Sequence, residues 1–447
     1  MRALGSLRLP PGPSSAFRTA AALRRDPLGF VTEAQRRFGD VARIPLWHRT
    51  FYLVSHPDGV RHVLIDNARN YGKDTATFSK LRSLFGAGLL TSDGEDWLRR
   101  RRIAQPAFGR ERLAAIVPVV VQATAAMIAR WSAQGPEPID AAREMTRLTL
   151  EIVVAALLGG NLGEGNEQVA GAVSEIVHQT KRRIESLIDL SAILPTLSNL
   201  RARRARRLLD RVVDRLVTRP AGEGTDLLAR LRQASEAQGR GALRDEVMTM
   251  FVAGHETTAN LLTWTLYEIA RNPCVGRRAA AESREVLAGR APGWDDLAPL
   301  AFTKRVLQES MRLHPPVWLV ERSAKEDDMI GGCLIPAGAT VAVSQYVTHR
   351  RPGCWREPER FDPDRFTPER LEGLPRCAFF PFGGGAQQCI GGQFAMMEAQ
   401  IVLAMVAQSC AVGLVNDRPV EADAGVTLRP REPIPLSIRL EVPHATD

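Results

Sequence analysis

Phe382-Gly383-Gly384-Gly385-Ala386-Gln387-Gln388-Cys389-Ile390-Gly391 is the stretch from which the rest of the chain can be read. Its glycines permit tight turns and close approach of backbone to a ligand. One cysteine stands near the end of the loop, just before a segment predicted as a helix from Gln393 to Gln408. Amide N–H groups of such a loop, and of a helix N-terminus, lower a thiol's pKa and donate to its sulfur. A phosphate-binding loop would carry a lysine and a Ser or Thr, and this one has neither.

A cysteine held as thiolate is what an iron porphyrin needs as a strong electron donor, because thiolate push favours O–O cleavage. The other five cysteines (274, 333, 354, 377 and 410) are scattered without paired short spacing. No secretory signal is seen, so a reducing, cytoplasmic setting is expected rather than a disulfide scaffold. The 447 residues are 45% hydrophobic and 24% charged, a globular composition with ample core material. The net charge is +9, concentrated in two blocks. One is Arg99 to Arg102; the other comprises Arg201, Arg203, Arg204, Arg206, Arg207, Arg211 and Arg215. No zinc-finger spacing, aromatic-interleaved basic strand or basic-zipper heptad points to nucleic acid. Both blocks read as solvated helix faces, with an anionic partner as the alternative. Leu113 to Ala129 lacks charge for seventeen residues, but Pro118 and Gln122 interrupt it and it falls short of a span, so a buried helix is expected.

Short apolar runs such as Phe51-Tyr52-Leu53-Val54 predict a small sheet within residues 30–70. From about 95 to 315 the pattern is helical, broken at Gly135-Pro136, Gly159-Gly160, Pro195 and Pro220-Ala221-Gly222. Short strands follow Pro315-Pro316, then a long Pro-rich irregular stretch from about 352, of the kind that is usually functional. The expected fold is mainly α with small β-sheets (α+β): a tail at 1–12 and one large domain at 13–447 with a long central helix.

Three more segments carry chemistry. Glu309 and Arg312 stand three apart on one helix face and can pair. A helix predicted from about Asp245 to Arg271 carries Ala253-Gly254-His255-Glu256-Thr257-Thr258 at its middle. Glycine and hydroxyl residues there weaken the ladder and invite a kink or an inserted water. An acid and an alcohol beside a bound dioxygen can relay protons. Trp97 and Arg101, four apart, share a helical face, and an indole N–H with a guanidinium suits a carboxylate ligand.

Together these motifs resemble the cytochrome P450 family, over most of residues 70–430. Phe382, Gly385, Cys389 and Gly391 match its haem-binding signature, Phe-x-x-Gly-x-x-x-Cys-x-Gly. The resemblance implies a soluble, bacterial-type haem-thiolate monooxygenase holding haem b, with Cys389 as the iron ligand. It implies proton delivery by Glu256 and Thr257, and propionate binding by Trp97, Arg101 and Arg322. It makes Glu309, Arg312 and Arg365 a structural network. Substrate contacts are implied at Leu84, Phe85, Ala253, Val317 to Val320 and Val426, each of which reads equally well as plain core. Their apolar character suggests an apolar lipid, terpenoid or polyketide-like natural product. Residues 165–220 would form a mobile lid. Arg99, Arg100 and Arg102 are expected to face solvent, where an acidic electron donor would dock.

With no flavin or iron–sulfur domain in the chain, electrons are expected from NAD(P)H through a reductase and a separate ferredoxin or flavodoxin. The protein is expected to be a monomer with no nucleic-acid partner and no membrane span. A peroxide-driven peroxygenase and a non-catalytic haem sensor are the alternatives. One position departs from the family. Gln387 stands where Arg or His usually binds a propionate, so weaker haem retention or an altered reduction potential is expected. Restoring arginine there should change the haem loss rate or the potential.

Overall fold

The computed structural model describes residues 8–46, 49–158, 196–218 and 240–441, together with a few short pieces between 168 and 232. Two compact units divide the chain, each assembled from separated stretches.

The first unit takes Met1–Leu81, Arg312–Arg360 and Pro368–Cys389. Its centre is a five-stranded sheet in which Val41–Leu46, Arg49–Val54, Thr340–Val343, Val320–Ala324 and Tyr71–Gly72 lie side by side in that order. The run at 51–54 forms a strand as its apolar character predicts, and Tyr52, Leu53 and Val54 are buried. It pairs antiparallel with 41–46 and parallel with 340–343. After the helix Pro57–Arg61 the chain makes a π-helical turn at His62–Asp66. Such turns are rare and frequently accompany functional sites. Asp328 holds the surrounding chain, accepting hydrogen bonds from Asn67 (3.0 Å) and Tyr71 (2.6 Å) and lying 2.8 Å from His62 Nε2.

The second unit takes Arg82–Met311, Phe361–Thr367 and Ile390–Asp447, and is mostly helical. Its longest helix, Arg240–Arg271, has 32 residues, about 48 Å at 1.5 Å per residue. It ends where expected, at Asn272-Pro273, because proline disfavours helical backbone in the residue before it. It begins five residues before the expected start at Asp245. Every residue from Thr258 to Ala270 is buried, so this half of the helix is core on all sides. The helix Gly392–Ser409 closely matches the predicted 393–408 and buries a nearly continuous run from Met397 to Ala407.

Arg110–Gln134 differs from the expected buried helix. It runs unbroken through Pro118 but buries one stripe only: Leu113, Val117, Val120, Thr124, Met127 and Trp131. Spacings of three and four place those residues on one face, while Ala115, Ala125, Ala126 and Ala129 look outward. Among the described residues it is the one helix long and apolar enough to cross a membrane by length and composition. The Pro-rich stretch is held by ion pairs. Asp364 receives Arg278 at 2.7 Å and Arg305 at 3.0 Å.

Candidate active site

In the first unit the glycine loop curls into a 3-10 turn, Gly385–Gln387, and the Cys389 amide donates back to the Phe382 carbonyl (2.9 Å). Gly385 is indispensable to this path. Its φ is +67°, and a Cβ there would lie 2.2 Å from the carbonyl oxygen of Leu64, on the π turn. The signature glycine is therefore required by a backbone-on-backbone approach that no side chain fits. The loop delivers Cys389 to an exposed position immediately before a helix N-terminus.

The remaining cysteines contrast with it. None of the six forms a disulfide. Burial pushes the Cys410 thiol up to about 11 and raises those of Cys377 and Cys354, so these three are held neutral. Cys274 is exposed on a helix surface, and Arg277 donates to its sulfur. Arg322, expected at a propionate, is buried in the sheet and donates to the Glu321 carbonyl at 2.8 Å. Burial raises the pKa of the Glu321 carboxyl, opposed by hydrogen bonds from Thr77 and Thr75. Val317 to Val320 are half-buried. Arg312 is fully buried and donates to the carbonyls of His349 (3.0 Å), Pro358 (2.6 Å) and Arg360 (3.2 Å), with its guanidinium 5.4 Å from the Trp355 ring centre. It thereby ties three backbone points of an irregular segment together.

In the second unit the long helix runs unbroken through the segment where a kink or inserted water was expected, and only its burial is interrupted there. Phe251 and Val252 are buried, Ala253 is exposed, and Gly254, Glu256 and Thr257 are half-buried before the fully buried run resumes at Thr258. Three successive carbonyls here accept side-chain hydroxyls. Thr257 donates to Ala253 (2.9 Å), Thr258 to Gly254 (3.2 Å), and Thr149 of the neighbouring helix to His255 (3.0 Å). Such back-bonding competes with the helical ladder, yet the backbone remains helical throughout. His255 faces the core, and burial lowers its pKa to about 4, so it is a neutral packing residue. A Cβ on Gly254 would lie 3.0 Å from Val153, so glycine keeps the two helices close.

Glu256 accepts a 2.7 Å hydrogen bond from the Thr427 hydroxyl. Burial raises its pKa, opposed by that hydrogen bond and by the Arg429 charge. Thr427 was not anticipated. Its only sequence signal is its place beside Val426, in the turn joining Ala422–Ala424 to Leu428–Pro430. Val426 is half-buried. Trp97 is buried, and the Arg101 guanidinium lies 5.9 Å from its ring centre, so the pair shares a face as expected. Phe85 is packed away at 3% exposure, while the side chain of Leu84 lies outside the described residues, as does most of the expected lid at 165–220.

One further residue corrects the sequence reading. Arg100 does not face solvent. It is buried to 11% side-chain exposure between Asp96 (2.8 Å) and Glu246 (2.5 Å), while Arg99 and Arg102 are exposed as expected. Glu246 also accepts from the Leu89 amide (3.1 Å), and Asp245 from the Ala87 amide (2.8 Å), so this charge cluster fixes the loop before Trp97.

The helix after Cys389 holds Glu398, a fully buried carboxyl with neither oxygen hydrogen-bonded among the described residues. Burial pushes its pKa well up. The folded chain therefore keeps this proton after the unfolded chain has lost it, and stability declines as pH rises above the unfolded value of about 4.3. Glu398→Gln abolishes that penalty. Its melting temperature, compared with the parent's, should show an advantage that grows as pH rises above the unfolded carboxyl's value of about 4.3; a constant difference would refute the buried neutral acid.

A family model described as Cytochrome P450 matches residues 10–436. The chain belongs to the cytochrome P450 family and is an oxidoreductase with the mixed α+β fold of that family. It is 36% identical over 428 residues to cyclooctatin synthase of Streptomyces melanosporofaciens, covering 94% of this chain and 91% of the relative. Cyclooctat-9-en-7-ol 5-monooxygenase of the same organism is 33% identical, covering 89% and 87%. Pentalenene oxygenase of Streptomyces avermitilis is 32% identical, covering 94% of each. Membership implies haem iron, an apolar substrate and a redox partner.

Proposed function

We infer that the protein inserts one oxygen atom of O2 into an apolar terpenoid-like molecule, by hydroxylation or epoxidation. Cys389 carries this proposal, as an exposed thiol on a glycine loop that no larger residue at 385 could follow. The residues present suit haem b. In the first unit Cys389 would supply the thiolate that holds the iron and Arg322 a cation for a propionate. In the second, Trp97 and Arg101 would offer an indole N–H and a guanidinium to a propionate, and Gly391 stands at the N-cap of the helix that follows the cysteine. Bound haem supplies the oxygen-activating redox chemistry.

The chain's own residues supply protons and shape. Burial holds the Glu256 proton to higher pH than an ordinary carboxylate, which suits a donor working near neutrality. The hydroxyl of Thr257, one residue on, can pass a proton and accept another. Ala253, Val317 and Val426 are apolar and open enough to touch a substrate. Relatives named for cyclooctat-9-en-7-ol and pentalenene direct the substrate class to terpenoids. The protein would work as a cytoplasmic monomer drawing on NAD(P)H through ferredoxin or flavodoxin and its reductase.

Turnover separates the alternatives. The haem-loaded protein, a ferredoxin, its reductase and NADPH should convert a cyclic diterpene or sesquiterpene to a product carrying 18O from 18O2. Turnover with hydrogen peroxide but with no reductase system would assign a peroxygenase instead.

A further inference from the structure

The helix Leu197–Thr218 packs on the second unit through Ala205, Leu209, Val212 and Val213, all buried. The opposite face carries a row at spacings of three and four: Leu197, Leu200, Arg204, Arg207, Arg211 and Arg215, every one exposed. Leu197 is 78% and Leu200 40% exposed. The helix holds seven arginines against two aspartates, and Asp210 is taken by an ion pair with Arg244. Among the described residues none of the four arginines in the row meets a carboxylate. Arg211 and Arg215 donate weakly to carbonyls of their own helix, at 3.3 and 3.4 Å. Like charges three and four residues apart destabilise a helix, so an ordinary solvated face would interleave acids here. With Asp214 the one acid beside the row that is not committed to Arg244, the face keeps most of that repulsion, which an anionic partner would relieve.

We propose that this row is a docking face for an anionic phospholipid surface, on which the enzyme sits peripherally. Guanidiniums bind phosphates with paired donors, and clustered basic residues on an amphipathic helix are attracted to anionic leaflets. Two features favour lipid over an acidic protein. The exposed leucines continue the same row and can enter the headgroup boundary. The face is also one convex helix about 33 Å long, at 1.5 Å for each of its 22 residues, and a helix of that shape lies readily along a plane. An apolar substrate dissolved in the bilayer would then be close at hand.

The test uses the haem-loaded full chain in sedimentation with vesicles of phosphatidylglycerol and phosphatidylcholine, beside vesicles of phosphatidylcholine alone. The parent should bind only the anionic vesicles and dissociate as salt is raised. Arg204→Gln/Arg207→Gln/Arg211→Gln should bind roughly 100-fold more weakly, at about 5-fold per arginine, with unchanged far-ultraviolet dichroism. Neutralising the exposed Arg376, Arg418 and Arg439 together should do much less. Equal losses in the two triple variants would reduce the effect to net charge and overturn the proposal, as would a parent that ignores anionic vesicles. Retention of an acidic carrier protein through the same three arginines, without vesicle binding, would hand the face to a protein.

Discussion

Replacing Glu309 by alanine is expected to cost about 3–5 kcal/mol of stability, the usual effect of stranding one member of a buried ion pair. The Glu309 carboxyl is fully buried, and its Oε1 accepts both Arg365 Nε (3.2 Å) and the Asp362 amide (2.8 Å). Arg365 is itself at 8% side-chain exposure, so removing the carboxylate leaves a guanidinium and an amide desolvated together. Scaled to 447 residues, the loss corresponds to a fall in melting temperature of about 3–5 °C. Glu309→Gln, which keeps an acceptor for the amide but not the charge, should fall between parent and alanine. A Glu309→Ala melting temperature equal to the parent's would show that the pair does not hold this segment.

Glu256→Gln is expected to lower reductase-driven turnover by about 10²–10⁴, the range lost when a positioned general acid is removed. Substrate-induced spectral change should persist, because glutamine keeps the side chain's size and its acceptor for Thr427. Turnover with peroxide, which needs no delivered protons, should fall far less. The pH dependence has a definite sign. A raised pKa keeps Glu256 protonated to higher pH than an ordinary carboxylate, so activity is lost as pH rises through that raised value. Thr427→Val removes a hydrogen bond that stabilises the carboxylate, so the pKa rises further and the alkaline limb moves to higher pH. A limb that stays in place would leave Thr427 a packing residue.

Local rules made much of this legible from sequence. Gly385 is readable because only glycine tolerates its backbone angle and its approach to Leu64. The end of the long helix is readable because Pro273 forces it, and Glu256 and Thr257 stand out against an apolar helix. Partners distant in sequence were not legible. Thr427 meets Glu256 across 171 residues and Glu246 meets Arg100 across 146, and no periodicity encodes either distance. Arg100 was misjudged because four consecutive arginines look alike in sequence. At 100° per residue only one of them turns toward Glu246, while Arg101 lies against Trp97 and Arg99 and Arg102 remain in solvent.

The carbon monoxide difference spectrum of the reduced protein tests the central assignment most directly. The parent should show the red-shifted Soret band of a thiolate-ligated haem, and Cys389→Ala should lose it. A parent lacking that band, or an alanine variant keeping it, would contradict Cys389 as the iron ligand.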